Sequence, residues 1–211
     1  MFFSKFYYYN QNWLSLMKLI QILQIKFSTT CFISFWFIGV PKAKFISLSG
    51  IAVGTIGIFF GFYYLSVAQE LAVKIVTFTT VGIVGSMSFV RHVVFHTSDA
   101  KRLGWETDRP DWMFEVGFAN LAFGLMGLIS FLANLGIQAQ TLVLLGYSIH
   151  LFQAAMLHGY RYFTYEIKSA STLWSSFLAT LLFAGMMAFF ALRILLWIKF
   201  KCLSNQLVLY Q

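Results

Sequence analysis

Five stretches of this chain each reach about 20 residues with few charges, the length a helix rising about 1.5 Å per residue needs to cross a bilayer core of about 30 Å. They run from Phe45 to about Val67, about Leu71 to Val94, Trp112 to Ile137, Thr141 to Phe163 and Trp174 to Phe200. No water is present inside a bilayer, so every backbone N–H and C=O must be bonded internally, which admits only helices or closed barrels. Unbroken apolar runs, rather than short alternating ones, select helices. Composition points the same way: 59% of residues are hydrophobic and 10% charged, against about 25% charged in soluble domains. The expectation is an all-α integral membrane protein with five transmembrane helices, a bundle over residues 45–200 and a short C-terminal tail at 201–211.

Each gap between spans holds polar or charged residues, and only the connection from His96 to Asp111 is substantial. Pro110 falls in the first turn of the third span, with Asp108 a candidate cap and Asp111 placed to complement the helix dipole. Within the loop, Ser98 to Leu103 followed by Gly104 has the pattern of one short interfacial helical turn.

The first 44 residues form a separate basic segment. They carry five lysines and no acid, the first acidic residue being Glu70. Ser15, Lys18, Gln21 and Gln24 interrupt an apolar run at three-residue spacing, which suits an amphipathic helix lying in the membrane interface. A sixth span at Phe27 to Val40 competes with this reading, but about 14 residues closed by Pro41 are short for a bilayer. A cleaved targeting segment accounts for the missing acids but not for the absent arginines, so the segment is expected to remain on the chain.

Five spans put Lys5, Lys18, Lys26, Lys42, Lys44, Arg91, Lys101, Arg102, Arg109, Arg161 and Lys168 on the amino-terminal side. Lys74, Arg193, Lys199 and Lys201 fall on the other, a bias of eleven to four. A sixth span would level that count to eight against seven. The positive-inside rule therefore favours five spans with the N-terminus on the inner, cytoplasmic side. The net charge of +8 then reads as a basic face meeting anionic lipid. Nucleic acid is not an expected partner, because no basic stripe interleaved with aromatics stands free of the membrane.

Cys31 and Cys202 are far apart and read as small apolar filler. No Gly-rich phosphate loop, nucleophile elbow or Cys-x-x-Cys pair is present, so hydrolytic and nucleotide-driven activities have no motif behind them. Gly50, Gly54, Gly57 and Gly61 share one face of the first span and predict a close helix–helix approach. Gly82 and Gly85 on the second span, and Gly117, Ala119, Ala122 and Gly124 on the third, are candidates to receive it. A seam within the bundle is one reading of that face; a homo-oligomer or partner-subunit surface is the other.

Polar residues concentrate at the membrane edge. His92 and His96, four apart, are expected on one helical face at the end of the second span. Glu115 opens the third span and His158 lies near the end of the fourth, while Asn120 and His150 lie deeper. Polar groups at these depths usually face the bundle interior. His92, Glu115 and His158 together form a plausible nitrogen and oxygen ligand set for a divalent metal. A quinone or lipid-like ligand is a second occupant for the same cluster. The plainer alternative is that these groups satisfy backbone carbonyls or close the bundle end, with Glu115 paired to Arg91 or Arg161.

Several segments resemble a family of small, uncharacterised prokaryotic integral membrane proteins: Arg91-His-Val-Val-Phe-His96, Leu103-Gly-Trp105, Phe114-Glu-Val-Gly-Phe-Ala-Asn-Leu-Ala-Phe-Gly-Leu-Met-Gly127, Gly146-Tyr-Ser-Ile149 and His158-Gly159. The resemblance covers about Leu71 to Phe200, and its Glu-Val-Gly-Phe-Ala-Asn-Leu core is the most specific part. That family is distantly similar to the DoxX-like membrane proteins, some of which are linked to quinone or thiol oxidation. The resemblance implies a DoxX-like four-helix core and a patterned site at His92, Glu115, Asn120 and His158. His96 and His150 are not part of the pattern. Two functions remain open at this point: a non-catalytic membrane subunit or scaffold with a polar His/Glu cluster, or a redox-associated protein binding a metal or quinone there.

Overall fold

The computed structural model describes residues 41–103, 110–164 and 172–208. The interfacial helix and the alternative sixth span, both within residues 1–40, lie outside them, as do Gly104 and Asp108. The described chain is helical in six main elements: α1 Lys42–Leu65, α2 Gln69–Val94, α3 His96–Leu103, α4 Asp111–Leu132, α5 Gly136–Thr164 and α6 Ala179–Val208, the last preceded by a π-helical turn at Thr172–Leu178. All but α3 are long and apolar enough to cross a membrane. Their outward faces are apolar as well, with Phe59, Tyr63, Leu132, Leu142, Leu182 and Phe200 all more than half exposed. A surface of that kind is stable against lipid rather than water.

Boundaries follow local chemistry. The first helix begins at Lys42, directly after Pro41, so Lys42 to Lys44 belong to the bundle rather than to the basic segment. The third span ends at Leu132 instead of Ile137. Asn134 has φ of 50° and Gly136 has φ of 87°, left-handed values that stop a helix and that Gly and Asn tolerate best. The chain reverses there, and α5 starts five residues ahead of the expected Thr141. The last helix continues to Val208, so most of the expected 201–211 tail is helix. Pro110, not Asp108, occupies the cap position of α4.

Two different seams hold α2. Against α1, the glycine face turns inward: a Cβ on Gly57 would overlap the Thr79 side chain, and one on Gly61 would overlap Val76. Gly54 faces the ring of Phe183 on α6. Against α4, backbone meets backbone, since a Cβ on Gly124 would lie 2.8 Å from the Ser86 nitrogen and one on Gly127 would lie 2.7 Å from the Gly82 nitrogen. Gly82 and Gly85 thus face α4, not the α1 glycines. Ile58, Val76, Val81, Leu144, Tyr147 and Phe190 close the core between these helices and α5 and α6.

The second span is not a uniform α-helix. It widens to π-helical turns at Thr77–Ile83 and Val90–Val94. In the first, Thr79 and Thr80 turn their hydroxyls back onto the Ile75 and Val76 carbonyls at 2.7 Å, the side-chain competition that distorts helices. Such π segments recur at functional sites. The second one carries Arg91 and His92.

Candidate functional site

Arg91 lies in the last turns of an apolar helix, where a charge requires a partner. Neighbouring residues of an α-helix do not normally face each other. The long Arg91 side chain nevertheless reaches its neighbour, and its Nη2 lies 3.0 Å from His92 Nε2. The ladder then ends. Phe95 leaves helical geometry (φ −110°, ψ 30°), and α3 folds back beneath the bundle with Asp99 fully buried.

Three cationic or imidazole groups converge on that carboxylate. Arg102 Nε donates to Asp99 Oδ1 at 2.8 Å, and its Nη2 lies 2.8 Å from the same oxygen. His92 Nδ1 lies 2.8 Å from Oδ2, and Arg91 Nε stands 3.7 Å from Oδ2. A guanidinium can only donate, so His92 Nε2 is the acceptor of the Arg91 contact. The imidazole proton then sits on Nδ1, facing Asp99. One neutral tautomer satisfies both contacts, and His92 becomes the link between Asp99 and Arg91. Burial alone would raise the Asp99 carboxyl, but the His92 hydrogen bond and the charges of Arg91 and Arg102 outweigh it and bring it down to about 2.

Farther into the bundle the polar path continues. Tyr147, fully buried on α5, donates to Asn120 Oδ1 at 2.8 Å, and Asn120 Nδ2 donates to the Val116 carbonyl at 2.8 Å. Arg91 Nη1 approaches Ser47 Oγ on α1 at 3.4 Å. His158 lies close enough to feel the charges of Arg102, Arg91 and Arg161.

The expected metal set does not assemble. Glu115 is exposed on the outer side of α4, while both nitrogens of His92 are engaged by Asp99 and Arg91. A metal needs a free imidazole lone pair, and a dication there would sit among guanidiniums. Among the described residues no three His, Cys, Asp or Glu side chains are arranged to hold a metal ion. His96 does not share a face with His92, because α2 ends between them. Its Nδ1 instead meets the Val93 carbonyl at 3.1 Å, and its ring packs on Phe114. His150 stacks against both Phe123 and Tyr147, which also touch each other. Sequence reading missed Asp99 and Arg102, assigned to a short interfacial turn, and the role of Arg91, which was weighed only as one of several partners for Glu115. One signal was available: an arginine inside an apolar span with an aspartate only eight residues onward.

Beside the cluster lies a cavity of about 510 Å³ bounded by α1, α2, α5 and α6. Its walls are mainly apolar, from Ile58, Phe62, Val84, Leu151 and Phe183, and its polar end holds Ser47, Ser88, Arg91 and Tyr147. Phe62 bridges α1 to Phe189 and Phe190 of α6 at centroid separations of 5.9 and 4.6 Å. A Cβ added at Gly50 meets no described residue within 4 Å. The rim between α1 and α6 presents Ile51, Phe59 and Leu182, each more than half exposed.

Residues 44–201, which carry all five long helices, the Asp99 cluster and the cavity, match the model of a family of unknown function, DUF6790. The chain belongs to that family. The match begins at residue 44, so α1, which the four-helix resemblance left out, is part of the family's own architecture. No curated protein and no solved structure matches the chain.

Proposed function

We propose that this family member is a non-catalytic membrane subunit that takes an amphiphilic molecule from the bilayer into the cavity between α1 and α6. The observation that carries this reading is a mainly apolar cavity of about 510 Å³, within the roughly 300–1,000 Å³ of small-molecule sites, with Ser47, Ser88, Arg91 and Tyr147 in its wall and exposed apolar side chains at its rim. An apolar tail suits the walls and a polar head suits the Arg91 end. A quinone belongs to the same chemical class, so the DoxX-like redox reading survives in this form, with the cavity in place of the metal. His92 acts as a positioning residue through Arg91, and Asn120 through Tyr147. The lysine and arginine bias supports placing the Asp99 end at the cytoplasmic face of a prokaryotic inner membrane.

Lipid extraction of the natively purified protein tests the proposal. Mass spectrometry is expected to find one amphiphile retained per chain, lost in Gly50→Phe, which fills the cavity from a position with free space. Equal retention by that variant would refute the reading.

A further inference from the structure

We infer that Arg91 is the headgroup anchor of the cavity and that the occupant is a single-chain amphiphile with an anionic head, a long-chain carboxylate. This rests on the cavity reading above and adds the charge of the ligand.

Charge counting at the cluster leads to it. Arg91 and Arg102 bring two positive charges, Asp99 brings one negative charge, and His92 is neutral in the tautomer its two contacts require. Among the described residues of the cluster one positive charge is left over. Its location follows from the distances: Arg102 holds Asp99 Oδ1 through two nitrogens at 2.8 Å and His92 holds Oδ2 at 2.8 Å. Arg91 reaches Oδ2 only at 3.7 Å, beyond hydrogen-bond distance. The other charged or ionisable groups among the described residues that act on Arg91 are Arg102 and Tyr147, neither of them a carboxylate.

The guanidinium of Arg91 also lines the cavity wall, beside Ser47, Ser88 and Tyr147. A guanidinium presents five N–H donors in a planar fork that fits a carboxylate or phosphate. Arg91 spends two of its nitrogens on a neutral serine and a neutral imidazole. A carboxylate entering from the apolar side would balance the excess charge where the surrounding dielectric is low and a charge-assisted hydrogen bond counts most. The cavity beyond it is lined mainly by apolar side chains, and its volume of about 510 Å³ suits a single chain.

Calorimetric titration of the full chain in phosphatidylcholine nanodiscs, buffered above the acid's pKa, compares palmitate with hexadecanol. The two share a chain and differ in head charge. Palmitate is expected to bind about tenfold tighter or more, the gain of a charge-assisted hydrogen bond. Arg91→Gln should reduce palmitate to the alcohol's affinity, Arg91→Lys should keep part of the preference, and Gly50→Phe should abolish both ligands while leaving the cluster intact. The wild-type comparison needs no variant to fold. Equal binding of acid and alcohol, both lost in Gly50→Phe, would overturn the anion inference and leave the cavity reading standing. Binding of both ligands that is indifferent to Gly50→Phe, or no binding of either, would overturn the two together. Displacement of palmitate by inorganic phosphate alone would mark a free-anion site and overturn the amphiphile. Binding seen only after removal of residues 1–40 would assign the cavity to that segment and likewise overturn it.

Discussion

Two guanidiniums and an imidazole meet at the Asp99 carboxylate, and their attraction exceeds the cost of burying it. The folded carboxyl sits at about 2, below its ordinary 3.8, so ionised Asp99 stabilises the fold fully above about pH 4. That contribution fades as pH falls through the folded value. Between about pH 4 and pH 2 the purified protein should lose roughly 2 kcal/mol of stability, read as a drop in Tm in detergent. Asp99→Asn should be less stable at neutral pH and should flatten this window; an unchanged acid profile in the variant would show that other carboxylates govern it. Glu115 provides the opposite case. It is exposed and meets neither His92 nor a metal set, so Glu115→Gln should change stability by no more than about 0.5 kcal/mol. A large loss, or a bound metal lost with it, would restore the cluster that the sequence pattern predicted.

At the scale of helices, glycine has two meanings in this bundle. The α2–α4 seam is backbone against backbone at Gly85, Gly124 and Gly127, where a methyl would meet backbone atoms first. Gly124→Ala should therefore cost on the order of 1–3 kcal/mol, as overpacked sites do. Gly50→Ala faces open cavity and should be nearly neutral. Comparing the two thermal midpoints checks the assignment, and equal losses would contradict it. The π-helical turns matter at the same scale, because the turn at Val90–Val94 carries Arg91 and His92, and the break at Phe95 returns Asp99 to them. Hydrophobic periodicity of an ideal helix carries no sign of either.

Across the whole molecule, five crossings place the two ends of the described bundle on opposite faces. Cysteines introduced at the exposed positions Thr97 and Lys199, in a Cys31→Ser, Cys202→Ser background, should label from opposite sides of intact vesicles. Thr97 is expected to react from the cytoplasmic one. Labelling of both from one side would require an even number of crossings between them. The amino-acid sequence by itself determined the class and the count of long helices, because a bilayer forces any apolar run of sufficient length into a helix with its own hydrogen bonds satisfied. It also marked the close-packing glycines, whose missing side chains are legible at helical spacing. Which helix each glycine meets was left to the tertiary structure, as was the partner of each buried polar group. The span ends predicted from sequence put His92, His96, Glu115 and His158 at one level, yet facing and helix breaks are independent of depth. The π-helical turn, the reversal at Phe95 and the outward rotation of α4 put Asp99, not Glu115, against His92, since a buried guanidinium must find a carboxylate and α3 supplies the one that the fold brings within reach.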